Sequence, residues 1–179
     1  MLTSIEQIQI KILFVCLGNI CRSPAAHGIM LHLLTTEYNF LYFYKIIQKI
    51  KSLKNTIFVD SCGTIDYNSG DLPDRRMREE ANKRGIQLNH IARCINKNDL
   101  INYNLIIAMD NDNYQDIISM RGDKNKVKKM IDYVKDKKGY NELPDPYYGG
   151  YKEFNLVLDL LEDGYKGIIQ SLIELYKLK

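Results

Sequence analysis

The chain has 179 residues, enough for one domain of the usual ~100–200 residues and for one full hydrophobic core without staples. Its 45% hydrophobic and 26% charged residues exclude a disordered or fibrous polymer. A formal charge of +3, from 25 Lys+Arg against 22 Asp+Glu, is too near neutral to mark a nucleic-acid binder, so any charge selectivity must be local.

Four cysteines, Cys16, Cys21, Cys62 and Cys94, are too few for a disulfide scaffold of this length. The N-terminal stretch MLTSIEQIQIKILFVC lacks the basic segment and small-residue cleavage site of a signal peptide. Its longest clean apolar run, the six residues Ile12 to Leu17, falls far short of the ~18 that a membrane span needs. These features predict a cytoplasmic, reducing setting, where a cysteine is catalytic, metal-bound or inert rather than bridged.

In chain order, Ile10 to Cys16 is a nearly continuous apolar run, the mark of a strand covered on both faces. It ends at Gly18-Asn19, and Ser23-Pro24 then supplies a cap and a first-turn proline for a helix from Ala25. Thr56 to Asp60 predicts a second strand, and Asp74 to Gly85 an exposed helix closed by glycine. Leu105 to Met109 predicts a third buried strand, with a helix around Asn113 to Arg121, and Lys129 to Val134 a weaker fourth strand. Phe154, Val157, Leu158, Leu161, Tyr165, Ile168, Leu172 and Tyr176 recur at helical spacing, although Gly164 and Gly167 weaken that helix in its middle. Strands alternating with helices imply a parallel sheet covered on both faces, with ligands bound at the carboxyl ends of the strands, where Cys16 sits.

The segment CLGNICRSP, Cys16 to Pro24, therefore lies between a buried strand and a helix N-terminus, a ready anion site. Gly18 and Asn19 both tolerate left-handed backbone angles, so the loop can curl into a cup. Arg22 adds a fork matched to two phosphate oxygens. Such surroundings favour a thiolate at Cys16, and a thiolate beneath a phosphate is a nucleophile for phosphoryl transfer. A cysteine ending a buried strand is, taken alone, usually a small apolar residue, and it is the strand–loop–helix context that favours catalysis here. A zinc site from the four cysteines lacks paired C-x2-C knuckles and would set Arg22 beside the metal.

CLGNICRSP, with DPYYGG far downstream, resembles the low-molecular-weight protein tyrosine phosphatase family. The likeness extends to DSCGT at Asp60, LNHIAR at Leu88 and AMD at Ala108, in order and over nearly the whole chain. The resemblance implies one phosphatase domain over 1–179: a four-stranded parallel sheet flanked by helices on both faces, with a phosphate-binding loop between the first strand and first helix. It implies hydrolysis of phosphotyrosine and aryl phosphates through a phosphocysteine, without metal or cofactor, on tyrosine-phosphorylated proteins and not nucleic acid. Carried over by position, Cys16 resembles the nucleophile, Arg22 the transition-state clamp, Ser23 the hydroxyl that stabilises the thiolate, and Asp145 the general acid. Leu17, Gly18, Asn19, Ile20 and Cys21 would bind substrate with the loop, and Tyr67, Tyr147 and Tyr148 would wall the ring. Asn19 would hold the strained turn, braced by Ser61 and His90. Asp145 also has its own argument, because a phenolate leaving group needs a proton donor and Asp145 sits in a proline-constrained loop flanked by aromatics. The spacing of Cys16 and Cys21 on one tight loop further predicts a reversible redox pair.

Two departures from the family pattern stand out. His27 replaces an acidic residue a few positions after the loop, which should alter helix packing more than chemistry. The stretch at about 35–55 is longer than the family's connection by roughly a dozen residues or more. Its aromatic cluster (Tyr38, Phe40, Leu41, Tyr42, Phe43, Tyr44) precedes Ile46, Ile47, Ile50 and Leu53 at helical spacing. It is expected to form an amphipathic helix that packs on the domain's own core or serves a protein partner or membrane surface. Three rival functions are arsenate reduction, arginine dephosphorylation and phosphotyrosine binding without turnover. Cys62 and Cys94 are not placed as a disulfide relay, Ile20 would crowd a guanidinium, and all the catalytic residue types are present.

Overall fold

The computed structural model describes residues 9–35 and 57–175. The elements run β1 (Ile10–Cys16), α1 (Arg22–Thr35), β2 (Ile57–Gly63), α2 (Arg75–Lys83), α3 (Lys97–Asn102), β3 (Leu105–Ala108), α4 (Asn111–Ser119), β4 (Val127–Lys129), a 3-10 turn (Met130–Asp132) and α5 (Tyr151–Leu175). The 35–55 insertion lies, beyond Thr35, almost wholly outside the described residues.

The four strands form one parallel sheet in the order β2-β1-β3-β4, so β1 is central and pairs on both sides. Period-two alternation sorts its side chains between two cores. Ile10, Ile12, Phe14 and Cys16 join one core with Ala25, Ile29 and Met30 of α1, Met77 of α2 and much of α5. Leu13 and Val15 join the other with Leu100 of α3 and Ile117 of α4. This is the predicted sheet covered on both faces, and it leaves Cys16 at the carboxyl end of the central strand.

Three expectations need correction. The helix expected from Ala25 begins at Arg22, so Ser23 lies inside α1 and its hydroxyl meets Cys16 Sγ instead of capping the helix. The fourth strand is only Val127–Lys129, and the segment read as strand turns into a 3-10 helix because Met130, Ile131 and Val134 share one buried face, a helical spacing. The short α3 escaped the sequence reading, although Asn96 and Asp99 form a reciprocal capping box at its start.

Gly164 and Gly167 do not interrupt α5, which is helical throughout Tyr151–Leu175. They are points of close approach instead. A Cβ at Gly164 would lie 2.3 Å from Met130 Cε, and one at Gly167 would lie 2.3 Å from the Tyr133 carbonyl oxygen. Methionine's end can swing aside, whereas the Tyr133 backbone cannot. Gly167→Ala is therefore expected to destabilise the fold by about 1–3 kcal/mol despite alanine's better helix propensity, and Gly164→Ala to be nearly neutral. Denaturant melts of the two variants measure the difference.

Candidate active site

The loop from Cys16 to Arg22 is shaped by bonds to its outer side. The carbonyls of Cys16 and Leu17 accept from the Thr64 and Ile65 amides at 2.9 and 3.1 Å, which carries the β1–β2 pairing beyond the strands. Asn68 Nδ2 donates to the Gly18 carbonyl at 3.2 Å and the Asp74 amide to that of Ile20 at 2.7 Å. With these carbonyls held outside, the amides of Gly18, Ile20 and Cys21 find no acceptor among the described residues. Those residues line a cleft of about 250 Å³, where unspent amides favour an anion. Gly63 lets β2 press this close, since a Cβ there would meet the Leu17 carbonyl at 2.6 Å.

Only Asn19 of the loop takes the left-handed backbone, with φ 56°; Gly18 does not. Gly18 serves a different need, because a Cβ there would sit 2.4 Å from Asn68 Nδ2. The Asn19 side chain is 1% exposed and makes four bonds. Its Nδ2 donates to Ser23 Oγ at 2.9 Å and Ser61 Oγ at 3.0 Å, and its Oδ1 accepts from the Arg93 amide at 3.0 Å and meets His90 Nε2 at 2.9 Å. Asn19, Ser61 and His90 are thus brought together.

Cys16 is buried at the cleft floor, its Sγ 3.0 Å from Ser23 Oγ and accepting from the Asn19 amide at 3.3 Å. The Ser23 hydroxyl also lies 3.2 Å from the Cys62 carbonyl. Its single proton can serve either acceptor, so it can turn toward sulfur when the thiolate forms and away when sulfur bonds elsewhere. Burial, then Asp74, pushes the Cys21 thiol well up, so Cys21 stays protonated. All four cysteines are unbridged.

Arg22 is buried at 3% exposure between two carboxylates. Its Nη1 donates to Asp110 Oδ2 at 2.6 Å and the Leu143 carbonyl at 3.1 Å, and its Nη2 to Asp145 Oδ2 at 2.9 Å. Burial opposes the charge, but Cys16, Asp145 and Asp110 outweigh it and raise the guanidinium pKa. Asp110 also caps α4 through the Asn113 amide at 2.7 Å, whereas Asp145 meets only the Tyr147 amide at 3.1 Å and is half-exposed.

Leu17, Tyr67, Tyr147 and Tyr148 rim the cleft with Ile65, Asn68 and Asp145. Tyr147 and Tyr148 pack edge to face at 5.1 Å, and the Arg76 guanidinium lies 5.7 Å from the Tyr147 ring centroid. Arg76 also bonds the carbonyls of Tyr147 and Gly149 at 2.9 and 3.0 Å while paired with Asp74. Sequence reasoning did not single out Asp110, Asn68, Asp74 or Arg76 for the site. Asp110 had a signal: it ends the strand beside β1 and precedes a helix start.

His27, behind the loop, packs edge to face with His90 at 5.2 Å. Burial, then His90, pulls its pKa down to about 4, and burial lowers His90 as well, against the pull of Asp60. Both rings are neutral at physiological pH.

The family model described as low molecular weight phosphotyrosine protein phosphatase matches residues 11–39 and 42–177, and the chain belongs to that family. A Synechocystis relative, provisionally named a low molecular weight protein-tyrosine-phosphatase, is 45% identical over 165 residues, 90% of this chain and 96% of its own. The Bacillus subtilis low molecular weight protein-tyrosine-phosphatase YfkJ is 35% identical over 91% of this chain and 96% of its own. A crystal structure of protein tyrosine phosphatase from Entamoeba histolytica, with Hepes in the active site, has a TM-score of 0.78 at 40% identity, covering 93% of this chain and 98% of its own.

Asn19→Ala would strand buried partners and place a Cβ-bearing residue without a compensating side chain in the left-handed region. We expect a loss of about 2–4 kcal/mol in unfolding free energy and weaker phosphate binding, checked by denaturant melts and by phosphate titration.

Proposed function

We propose that the protein hydrolyses phosphotyrosine in proteins, and aryl phosphates generally, in two steps through a phosphocysteine at Cys16. The observation that carries this reading is a single cleft lined by Cys16, Arg22 and Asp145 and rimmed by Tyr67, Tyr147 and Tyr148. The phosphate enters among the amides of Gly18, Ile20 and Cys21, and its oxygens take the Arg22 Nη2 donor now spent on Asp145. Asp145, released from that ion pair, stands beside the leaving oxygen.

Freed from Arg22, Asp145 takes up a proton from solvent. Cys16 Sγ then attacks phosphorus as a thiolate, the bond to the tyrosine oxygen breaks, and Asp145 gives that proton to the departing oxygen. Water then attacks the phosphocysteine, Asp145 takes its proton, and the phosphorus–sulfur bond breaks. The electron pair returns to sulfur, where the Ser23 hydroxyl donates to it. Arg22 and the loop amides supply the positive field for the transferring group throughout.

The rival chemistries fit less well. Cys62 belongs to the core on the opposite sheet face from Cys16, so it cannot relay a disulfide to it without unfolding β2. Ile20 and the tyrosines line the cleft with apolar surface suited to a phenyl ring rather than a guanidinium. Among the described residues no helix is long and apolar enough to cross a membrane.

Turnover of para-nitrophenyl phosphate, with and without vanadate, tests the reading. Cys16→Ser should abolish turnover yet retain vanadate binding, and substantial residual hydrolysis would overturn the phosphocysteine. Asp145→Asn should slow phosphotyrosine hydrolysis by ~10²–10⁴, and less so when the leaving group is already acidic.

A redox reading of the same loop completes the proposal. Peroxide oxidises the Cys16 thiolate to a sulfenic acid with release of hydroxide. The Cys21 thiol then displaces water from that sulfur to form a disulfide. Because Cys21 is held protonated, the second step should be slower than the first and accelerate as pH rises. Thiol reductant should restore full activity, and mass mapping should find Cys16 joined to Cys21; Cys16 overoxidised with Cys21 free would refute it.

A further inference from the structure

We propose that His27, His90 and Asp60 form a binding site for a divalent transition-metal ion of the zinc type, directly behind the phosphate loop. One ligand atom from each residue lies within 4.8 Å of the other two, and all three residues are half-buried rather than sealed. His90 Nδ1 is 3.8 Å from Asp60 Oδ1. Tetrahedral metal–ligand bonds of ~2.0–2.2 Å set donor atoms about 3.3–3.6 Å apart, so an ion would draw these three together. Two imidazoles and a carboxylate are a donor set for zinc and its neighbours, with further positions open to water.

The surroundings leave each of the three residues a donor atom. His90 holds Asn19 Oδ1 at 2.9 Å through Nε2; because an amide oxygen only accepts, that nitrogen carries the proton and Nδ1 keeps its lone pair. A ligating histidine anchored through its other ring nitrogen is the arrangement metal sites favour. Asp60 is held by the Ser61 amide on Oδ1 and by Arg93 and Tyr103 on Oδ2, which leaves Oδ1 as the oxygen facing His90. His27 Nδ1 is buried with no hydrogen-bond partner among the described residues.

Arg93 is the cation that opposes an ion here. Its charge is shared, because it pairs with Asp99 at 2.9 and 3.1 Å as well as with Asp60. A bound ion would polarise the His90 Nε2–H and tighten its bond to Asn19, coupling this site to the phosphate loop.

The active-site thiolate is itself a metal ligand, so binding is measured on full-length Cys16→Ser protein with zinc alone by calorimetry, and with cobalt by absorption. We expect one ion per chain and a cobalt spectrum of nitrogen and oxygen donors. In that background His27→Ala and Asp60→Asn should each weaken binding at least ~10-fold. His32→Ala, which removes the chain's remaining histidine, should leave it unchanged. His27→Asn serves as a smaller change should His27→Ala fail to fold, and each variant's thermal melt verifies folding. Failure of zinc to bind, or binding that survives both His27 variants and Asp60→Asn undiminished, would overturn the site. None of these measurements depends on turnover.

Discussion

One buried side-chain amide, that of Asn19, holds the site in register with the fold. Its left-handed backbone costs about 1–2 kcal/mol in an L-residue, and the four bonds made by its amide offset that cost. Those bonds reach Ser23 in α1, Ser61 in β2, and His90 and Arg93 in the connection between α2 and α3. Three separate parts of the chain must therefore be in place before the loop adopts its curl. The curl in turn is what turns the carbonyls outward to Thr64, Ile65, Asn68 and Asp74 and leaves the amides unspent. The proposed anion binding follows from this accounting: donors remain unspent where the carbonyls of Cys16, Leu17, Gly18 and Ile20 are used by groups outside the loop.

The charge arrangement around Arg22 has an asymmetry with chemical meaning. Both carboxylates lie within 3 Å of the guanidinium, yet they are held very differently. Asp110 is mostly buried and pinned by the start of α4, so removing it would leave a buried cation uncompensated, a loss of roughly 3–5 kcal/mol. Asp145 is half-exposed, and a pair of that kind contributes about 0–1 kcal/mol. In the proposed mechanism an arriving phosphate would therefore displace Asp145 and leave Asp110 in place. The same exchange that seats the phosphate frees the proposed acid beside the leaving group, so binding and activation share one step.

Much of this was legible in the sequence because the strongest signals are local. The apolar run Ile10–Cys16, the Gly18-Asn19 punctuation and Ser23-Pro24 define strand, loop and helix within a single stretch; β1 falls where those residues put it, while α1 starts three residues early, at Arg22, because the Ser23 hydroxyl is used by Cys16 and Asn19 rather than as a cap. The fourth strand was misread because Met130, Ile131 and Val134 satisfy a short apolar run in either period, and tertiary packing decided for the helical one. Gly164 and Gly167 looked like helix breakers because propensity sees no neighbours, whereas the space taken by Met130 and Tyr133 is what selects them. Asp110, Asp74 and Arg76 were hidden for a related reason. Their roles arise from pairings across 88, 54 and 71 residues, with Arg22, Ile20 and Tyr147, and no local pattern carries such contacts.

The Arg76 pairing also resolves how a loop so far along the chain can serve a cysteine on β1. Asp74 caps α2, accepts the Arg76 guanidinium and donates its amide to the Ile20 carbonyl, so one residue touches both the helix and the phosphate loop. Arg76 extends from that anchor to the carbonyls of Tyr147 and Gly149 and stacks 4.6 Å from the ring centroid of Phe154, a fully buried residue of α5. On the other side, Leu143 is tied to Met109 through its amide and to Arg22 through its carbonyl. The segment carrying Asp145 is thus fixed at both ends to elements that already touch the phosphate loop, while Tyr148 is left 96% exposed at its tip. In the proposed mechanism the carboxylate that serves the leaving oxygen needs a rigid base, and the wall that receives the phenyl ring needs an open face. This loop provides both within four residues, Asp145 to Tyr148, because its backbone is clamped while its outer ring stands exposed against Tyr147.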